Sequence, residues 1–255
     1  MCKVGSIGIT SVSIAPLRAL SSDSSEQVSQ ILAGESIHLL EKGEGDWVKV
    51  KSLADEYIGW ADKRHFKFDQ EIVSENVILT YTLSKWKYEE SDGDLWLYAG
   101  TVLHLNSSGN FELAGEIISP YDPKPPPSNV ISKLSDTAIK FLNAPYLWGG
   151  RTIAGIDCSG LTQIAAKLNG ISIPRDASQQ VNSGKSVKWE ERQENDLAFF
   201  ENNKGSITHV GILKSKDVIV HASSFVRIDK LLQKGIFHLQ DERISHTLTC
   251  IRRLS

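Results

Sequence analysis

The densest chemical signal in this chain is the segment from Tyr146 to Leu161, YLWGGRTIAGIDCSGL. A glycine-bearing loop delivers Asp157-Cys158-Ser159-Gly160, after which Leu161, Ile164, Ala165 and Leu168 recur at helical spacing. Asp157 therefore reads as an N-cap and Cys158 as the first helical residue, beside N–H groups that no intrahelical carbonyl reaches. The helix dipole there favours thiolate, so the pattern predicts a lowered thiol pKa and a nucleophile. A small buried core cysteine accounts for this segment equally well.

Two histidines add what a nucleophile needs. His209 and His221 lie in ITHVGILK and VIVHASS, which read as a hairpin turning at Lys214-Ser215-Lys216. A three-residue loop sets the two directly opposite on one face, with Cβ atoms about 5 Å apart. A two-residue loop sends them to opposite faces, so a catalytic pair requires the odd loop or a bulge. Thiol, base and orienting group then form a nucleophilic triad. His38, His65, His104, His238 and His246 join no such constellation and read as structural.

The elements around these residues are of two kinds. Five of the eight prolines fall in SPYDPKPPPS, residues 119–128, a stretch that reads as a semi-rigid connector over 120–128. Upstream, apolar and polar residues alternate between Gly, Asp and Ser clusters, predicting two small all-β barrels over 10–68 and 72–119. Trp47, Trp60, Trp86 and Trp96 read as barrel core rather than a ligand platform. Downstream, SKLSDTAIKFLNA and CSGLTQIAAKLNG carry helical stripes, and DLAFFEN, ITHVGILK, VIVHASS and TLTCIRR read as strands. A helix pair followed by an antiparallel sheet predicts an α+β domain over 129–255.

Composition narrows the function classes. In 255 residues there are 28 Lys plus Arg against 31 Asp plus Glu, a net −3 that leaves no basic excess for a phosphate backbone and argues against nucleic acid as a partner. With 40 % apolar and 23 % charged residues the chain is built to bury cores. No apolar run approaches the ~18 residues of a membrane span. The three cysteines, Cys2, Cys158 and Cys250, are odd in number and contain no C-x-x-C, which argues against a disulfide scaffold or a zinc knuckle. No zincin-type spacing occurs, and neither metal nor cofactor is expected. MCKVGSIGIT has no apolar leader core, so a cytoplasmic protein is expected if that N-terminus is native, and a periplasmic or secreted one if a leader has been removed.

YLWGG with DCSGL, then IPRDASQQ, THVGI and VHASS, resemble the NlpC-type cell-wall cysteine peptidases throughout residues 129–255. QILAGE, WVKV and YIGW resemble the bacterial SH3-like domains that accompany such enzymes; the segment 72–119 is assigned to a second module by length and alternation. SH3-like modules ahead of the catalytic domain further resemble the γ-D-glutamyl-L-diamino acid endopeptidases. The resemblance implies a papain-like catalytic fold, with Cys158 as nucleophile, His209 as general base and acid, and His221 orienting His209. It implies Tyr146 at the oxyanion with the Cys158 backbone N–H, and Asp157 as a carboxylate for the ammonium of an N-terminal L-Ala. Trp148, Ser159, Arg175 and Asp176 fall where the family lines the D-Glu pocket, Arg175 against the free α-carboxylate; Ala177 stands where some relatives have Ser. Tyr57 and Glu26 match the Tyr and acid that the first SH3-like module contributes. The implied partner is a murein peptide, L-Ala-γ-D-Glu-diamino acid, cut at the γ-D-glutamyl bond. An amidase or acyltransferase on the same fold, or a non-catalytic wall-binding protein, are the alternatives.

Overall fold

The computed structural model describes residues 3–68, 76–78, 82–90, 92–121, 133–238 and 241–254. Of the expected connector, Pro120 ends a strand and residues 122–128 lie outside the described residues, as does Cys2. The chain divides into two compact units, residues 1–130 and 131–255.

The first unit shows why period-two patterning makes sheet. In Trp47–Ser52, Val48, Val50 and Ser52 are buried while Trp47, Lys49 and Lys51 are partly exposed. Seven strands form one antiparallel sheet: β1 Ile7–Thr10, β2 Ile14–Arg18, β3 Gln27–Leu32, β4 Ser36–Lys42, β5 Trp47–Ser52, β6 Ile58–Asp62 and β7 Phe66–Phe68. Its core is made by Leu17, Ile31, Ile37, Leu39, Val50 and their neighbours. A second sheet holds β8 Asn76–Ile78, β9 Leu83–Tyr88, β10 Asp94–Tyr98, β11 Val102–Leu105, β12 Phe111–Leu113 and β13 Glu116–Pro120.

The second sheet does not close its core alone. Ile9 of β1 and Ala33, in the turn after β3, join Trp86, Leu95, Leu97, Leu103, Leu113 and Ile118 in one cluster. The join is tight at Gly34, which has φ +74 and whose added Cβ would lie 1.7 Å from the Val102 carbonyl oxygen. Val102 N–H donates to Ala33 O at 3.0 Å beside it. Among the tryptophans expected in the core, Trp86 is buried with its indole N–H on Ser84 Oγ. Trp47 and Trp60 are half-buried, and Trp96 is exposed because Leu95 and Leu97 occupy the inward face of β10.

The second unit is α+β. Helix α1, Leu134–Ile139, is shorter than its apolar stripe; turns follow, and Asn143 at φ +67 reverses the chain. A two-stranded ribbon, β14 Arg151–Thr152 with β15 Gly155–Ile156, leads into α2, Cys158–Leu168, whose burial runs from Cys158 to Ala166. Gly170, at φ +75, follows it as the sequence predicts for a helix C-terminus. After α3, Ala177–Gln180, come β16 Lys185–Val187, β17 Leu197–Glu201, β18 Ile207–Ser215, β19 Val218–Ser223, β20 Phe225–Leu232, β21 Gly235–His238 and β22 Arg243–Arg253. Thr247 of β22 pairs with Glu201 of β17 and with Gly235 of β21, so the sheet closes on itself from β17 to β22. It encloses Ala198, Phe200, Leu213, Ile219, Leu231, Ile236 and Ile251. The three helices pack against β18, and α1 and α2 also against β19. Among the described residues no helix is long and apolar enough to cross a membrane.

Candidate active site

Asp157 caps α2 as its sequence position predicts, accepting from Gly160 N–H at 2.6 Å. That fixes Cys158 at the first helical position, 6 % exposed. The N–H groups of Ser159 and of Val210, the residue after His209, donate to its sulfur. The expectation of a depressed thiol pKa is nevertheless reversed. Burial pushes the thiol up to about 12, the Asp157 carboxylate adds to the rise, and the two N–H donors and Arg175 offset it only in part.

The histidines meet by a different register from the one expected. Ile212 pairs with Val220, Leu213 with Ile219 and Ser215 with Val218, with a bulge at Lys214 and the turn at Lys216-Asp217. His209 and His221 are therefore diagonal neighbours on one face rather than directly opposed. The residue facing His221 is Gly211, where an added Cβ would stand 2.9 Å from His221 Cβ and 2.7 Å from Ile219 Cδ1. With no side chain there, the His209 and His221 rings cross edge to face, and His209 Nε2 lies 2.8 Å from His221 Nδ1.

Two residues that the sequence reading passed over complete this cluster. Asp229 Oδ2 lies 3.0 Å from His221 Nε2 and accepts from Arg227 Nε at 2.8 Å. His246, expected to be only structural, stacks on His209 with ring centroids 4.1 Å apart at 26°. The bulge between Phe199 and Phe200 sets the register that brings β22 beside His209. Burial, with His221, His246 and Arg227 adding to it, holds His209 well below the ordinary imidazole value. Burial likewise lowers His221 against the pull of Asp229, and lowers His246 to about 4. A line of buried imidazoles thus ends at His209, whose neighbour Val210 bonds the Cys158 sulfur.

The expected substrate residues separate into buried ones and more exposed ones. Arg175, 1 % exposed, donates to Asp157 at 3.0 Å from Nη1 and 2.5 Å from Nη2, to Ser159 Oγ at 2.8 Å and to Gly150 O at 3.3 Å. It is a buried partner of Asp157, not a fork held out for a substrate carboxylate. Asp157 also accepts from Gly149 N–H at 2.8 Å and from Ser159 Oγ at 3.2 Å. Its charge is matched by Arg175, so an ammonium would find no unbalanced carboxylate there. Gln180 bridges the same layer, donating to Ser159 O and Pro174 O and accepting from Thr162 Oγ1. Trp148 is 59 % exposed, and Asp176 is the N-cap residue of α3. Tyr146 is half-buried; burial, with Cys158 and Asp157 nearby, raises its phenol, which stays a hydrogen-bond donor. In the first unit, Tyr57 packs at the edge of the core and Glu26 is exposed.

Known proteins share this architecture. The NlpC/P60 family model matches residues 143–242, and the bacterial dipeptidyl-peptidase SH3 domain matches residues 17–66. Over 212 residues the chain is 32 % identical to the γ-D-glutamyl-L-lysine dipeptidyl-peptidase of Bacillus subtilis, covering 76 % of this chain and 71 % of that one. The chain belongs to the NlpC/P60 family. The dipeptidyl-peptidase 6 of Lysinibacillus sphaericus is 29 % identical over 266 residues, 90 % of this chain and 92 % of its own. A crystal structure of an NlpC/P60 family protein from Bacillus cereus superposes with a TM-score of 0.81 at 25 % identity, covering 97 % of this chain and 99 % of that one. This NlpC/P60 protein is a cysteine-type peptidase with an SH3 domain ahead of its catalytic domain.

Proposed function

We propose that this NlpC/P60 peptidase hydrolyses the γ-D-glutamyl to diamino acid amide of peptidoglycan peptides, releasing L-Ala-γ-D-Glu from peptides whose N-terminal L-Ala is free. The observation that carries this reading is Cys158 at a helix start, bonded by the N–H beside His209, in a chain similar over both its units to dipeptidyl-peptidases. Cys158 Sγ attacks the γ-carbonyl carbon as its proton passes to His209, so no thiolate need be stored beforehand. The Cys158 N–H and the Tyr146 hydroxyl take the oxyanion. His209, oriented by His221, returns the proton to the departing amine, and water then hydrolyses the thioester.

Trp148 and Asp176 line the D-Glu pocket in this reading. Asp157 is neutralised by Arg175, and the free-amine requirement is read from the likeness to dipeptidyl-peptidases. We read the second sheet as a further SH3-like module. A requirement for a free amine confines the enzyme to peptides already released from glycan, a recycling role. The test is kcat/KM on L-Ala-γ-D-Glu-diamino acid with and without N-acetylation. Loss of an ammonium paired in the site costs about 2–5 kcal/mol, a preference of roughly 30-fold to several thousand-fold. Equal values for the two peptides would remove the free-amine requirement.

A further inference from the structure

The polar line from His209 does not end at His221. We infer that Asp229 is a positioning residue of the catalytic relay, fixing the tautomers of His221 and His209 so that a bare nitrogen of His209 is left for the thiol proton. The inference rests on the peptidase reading of Cys158 and His209 given above.

The argument follows the hydrogens. An ionised carboxylate only accepts. His221 and Arg227 hold the Asp229 carboxyl below the usual range against the opposing effect of its burial. His221 Nε2, 3.0 Å from Asp229 Oδ2, must then carry the hydrogen. A neutral imidazole has one N–H, so His221 Nδ1 is bare and accepts. The atom facing it at 2.8 Å is His209 Nε2, which must in turn be the donor. His209 is neutral as well, so its Nδ1 has no hydrogen and is the nitrogen that can take one. Each link determines the next, and the first link is Asp229.

The surroundings hold this arrangement in place. Arg227 stands opposite His221 in the β19–β20 register and donates to the same Asp229 oxygen, so the carboxylate is held from two sides. Asp229 faces Ile219, two residues from His221 on the same strand face. The charged and titratable groups facing His221 are His209 on β18, Arg227 and Asp229 on β20, His238 on β21 and His246 on β22. Among these, Asp229 is the carboxylate bonded to the ring. Without that acceptor the His221 hydrogen can move to Nδ1. His209 Nε2 would then be the acceptor and its Nδ1 would carry hydrogen, leaving the thiol without a base.

The test combines a spectrum with kinetics. Long-range 15N–1H correlation on labelled wild-type protein at neutral pH should show both His209 and His221 protonated at Nε2 and bare at Nδ1. In Asp229→Leu the His221 tautomer should shift toward Nδ1–H. There kcat on L-Ala-γ-D-Glu-L-Lys should drop on the order of 10- to 100-fold, by analogy with carboxylates that orient metal-bound histidines, with KM little changed. Asp229→Asn keeps an oxygen for His221 and should retain the wild-type tautomers and most of kcat. If Asp229→Leu fails to fold, the wild-type and Asp229→Asn spectra still decide. His209 protonated at Nδ1 in the wild type, or wild-type tautomers and kcat in a folded Asp229→Leu, would overturn the inference. A wild-type protein that shows the predicted tautomers but cleaves no such peptide would instead count against the proposed function alone.

Discussion

Two polar clusters flank Cys158, and they are built on opposite principles. On the helix side, Asp157, Arg175, Ser159 and Gln180 are buried and saturated: the carboxylate accepts from Gly149, Gly160, Ser159 and both guanidinium nitrogens. On the sheet side, His209, His221, Asp229 and His246 form a line in which burial keeps the imidazoles neutral. The first cluster has fixed charges and no proton to move. The second has movable protons and little fixed charge beyond the Asp229–Arg227 pair. A saturated ion pair holds geometry, whereas a neutral imidazole can accept a proton, and the nucleophile lies where the two meet. The difference separates residues whose loss should unfold the protein from residues whose loss should silence it.

The largest effect should come from the sheet side. His209→Ala should lower kcat/KM about 10²- to 10⁴-fold, the range for removal of a general base. The urea midpoint should move much less than for the helix-side variant below. Equal losses of stability would mean that the two clusters do not divide the work in this way. Next, Arg175→Met leaves Asp157 buried without its counter-charge and should cost about 3–5 kcal/mol of stability. Urea unfolding followed by tryptophan fluorescence would measure it; a variant as stable as wild type would show the pair to be dispensable. Gly211→Ala is a finer probe, since the new methyl meets His221 and Ile219 at under 3 Å. It should cost about 1–3 kcal/mol and reduce kcat by displacing His221. Unchanged kcat in that variant would show that the diagonal register tolerates movement.

The smallest difference is expected in thiol reactivity at neutral pH. With its thiol pushed up to about 12, Cys158 is protonated there, and Cys250 is raised by burial too. Thiolate is the reactive form, so iodoacetamide labelling of Cys158 should be slow at pH 7 and accelerate about tenfold per pH unit as the solution becomes more alkaline. Rapid labelling at pH 6–7, confined to Cys158, would mean a stored thiolate and a cluster that is not neutral at rest.

Much of this site was legible because it rests on local rules. The cap at Asp157, the helix start at Cys158 and the stop at Gly170 each follow from residues within one or two turns. The pairing of His209 with His221 was foreseen in kind but not in register, because a bulge at Lys214 leaves no residue-type signature. Asp229 was missed for a related reason. It reaches His221 through a reversal at one residue, Ser224 at φ +64, where neither Gly nor Asn marks a turn. His246 arrives by closure of β22 on β17, a long-range pairing that no local window contains. Arg175 shows the converse: its type suited a substrate carboxylate, but burial against Asp157 decided its partner. In the first unit the alternation was readable, while the core shared by the two sheets through Ile9 and Ala33 was not, since it depends on docking rather than patterning.

In the proposed function Cys158, served by the histidine line, cleaves a γ-D-glutamyl amide in a murein peptide. Mass spectrometry of L-Ala-γ-D-Glu-diaminopimelate and L-Ala-γ-D-Glu-L-Lys after incubation with the purified protein tests it most directly, with folded Cys158→Ala as the control. The wild type should release L-Ala-γ-D-Glu and the free diamino acid from at least one of the two, and Cys158→Ala should leave both intact. Intact peptides from the active-site-complete protein, or the same products from Cys158→Ala, would contradict it.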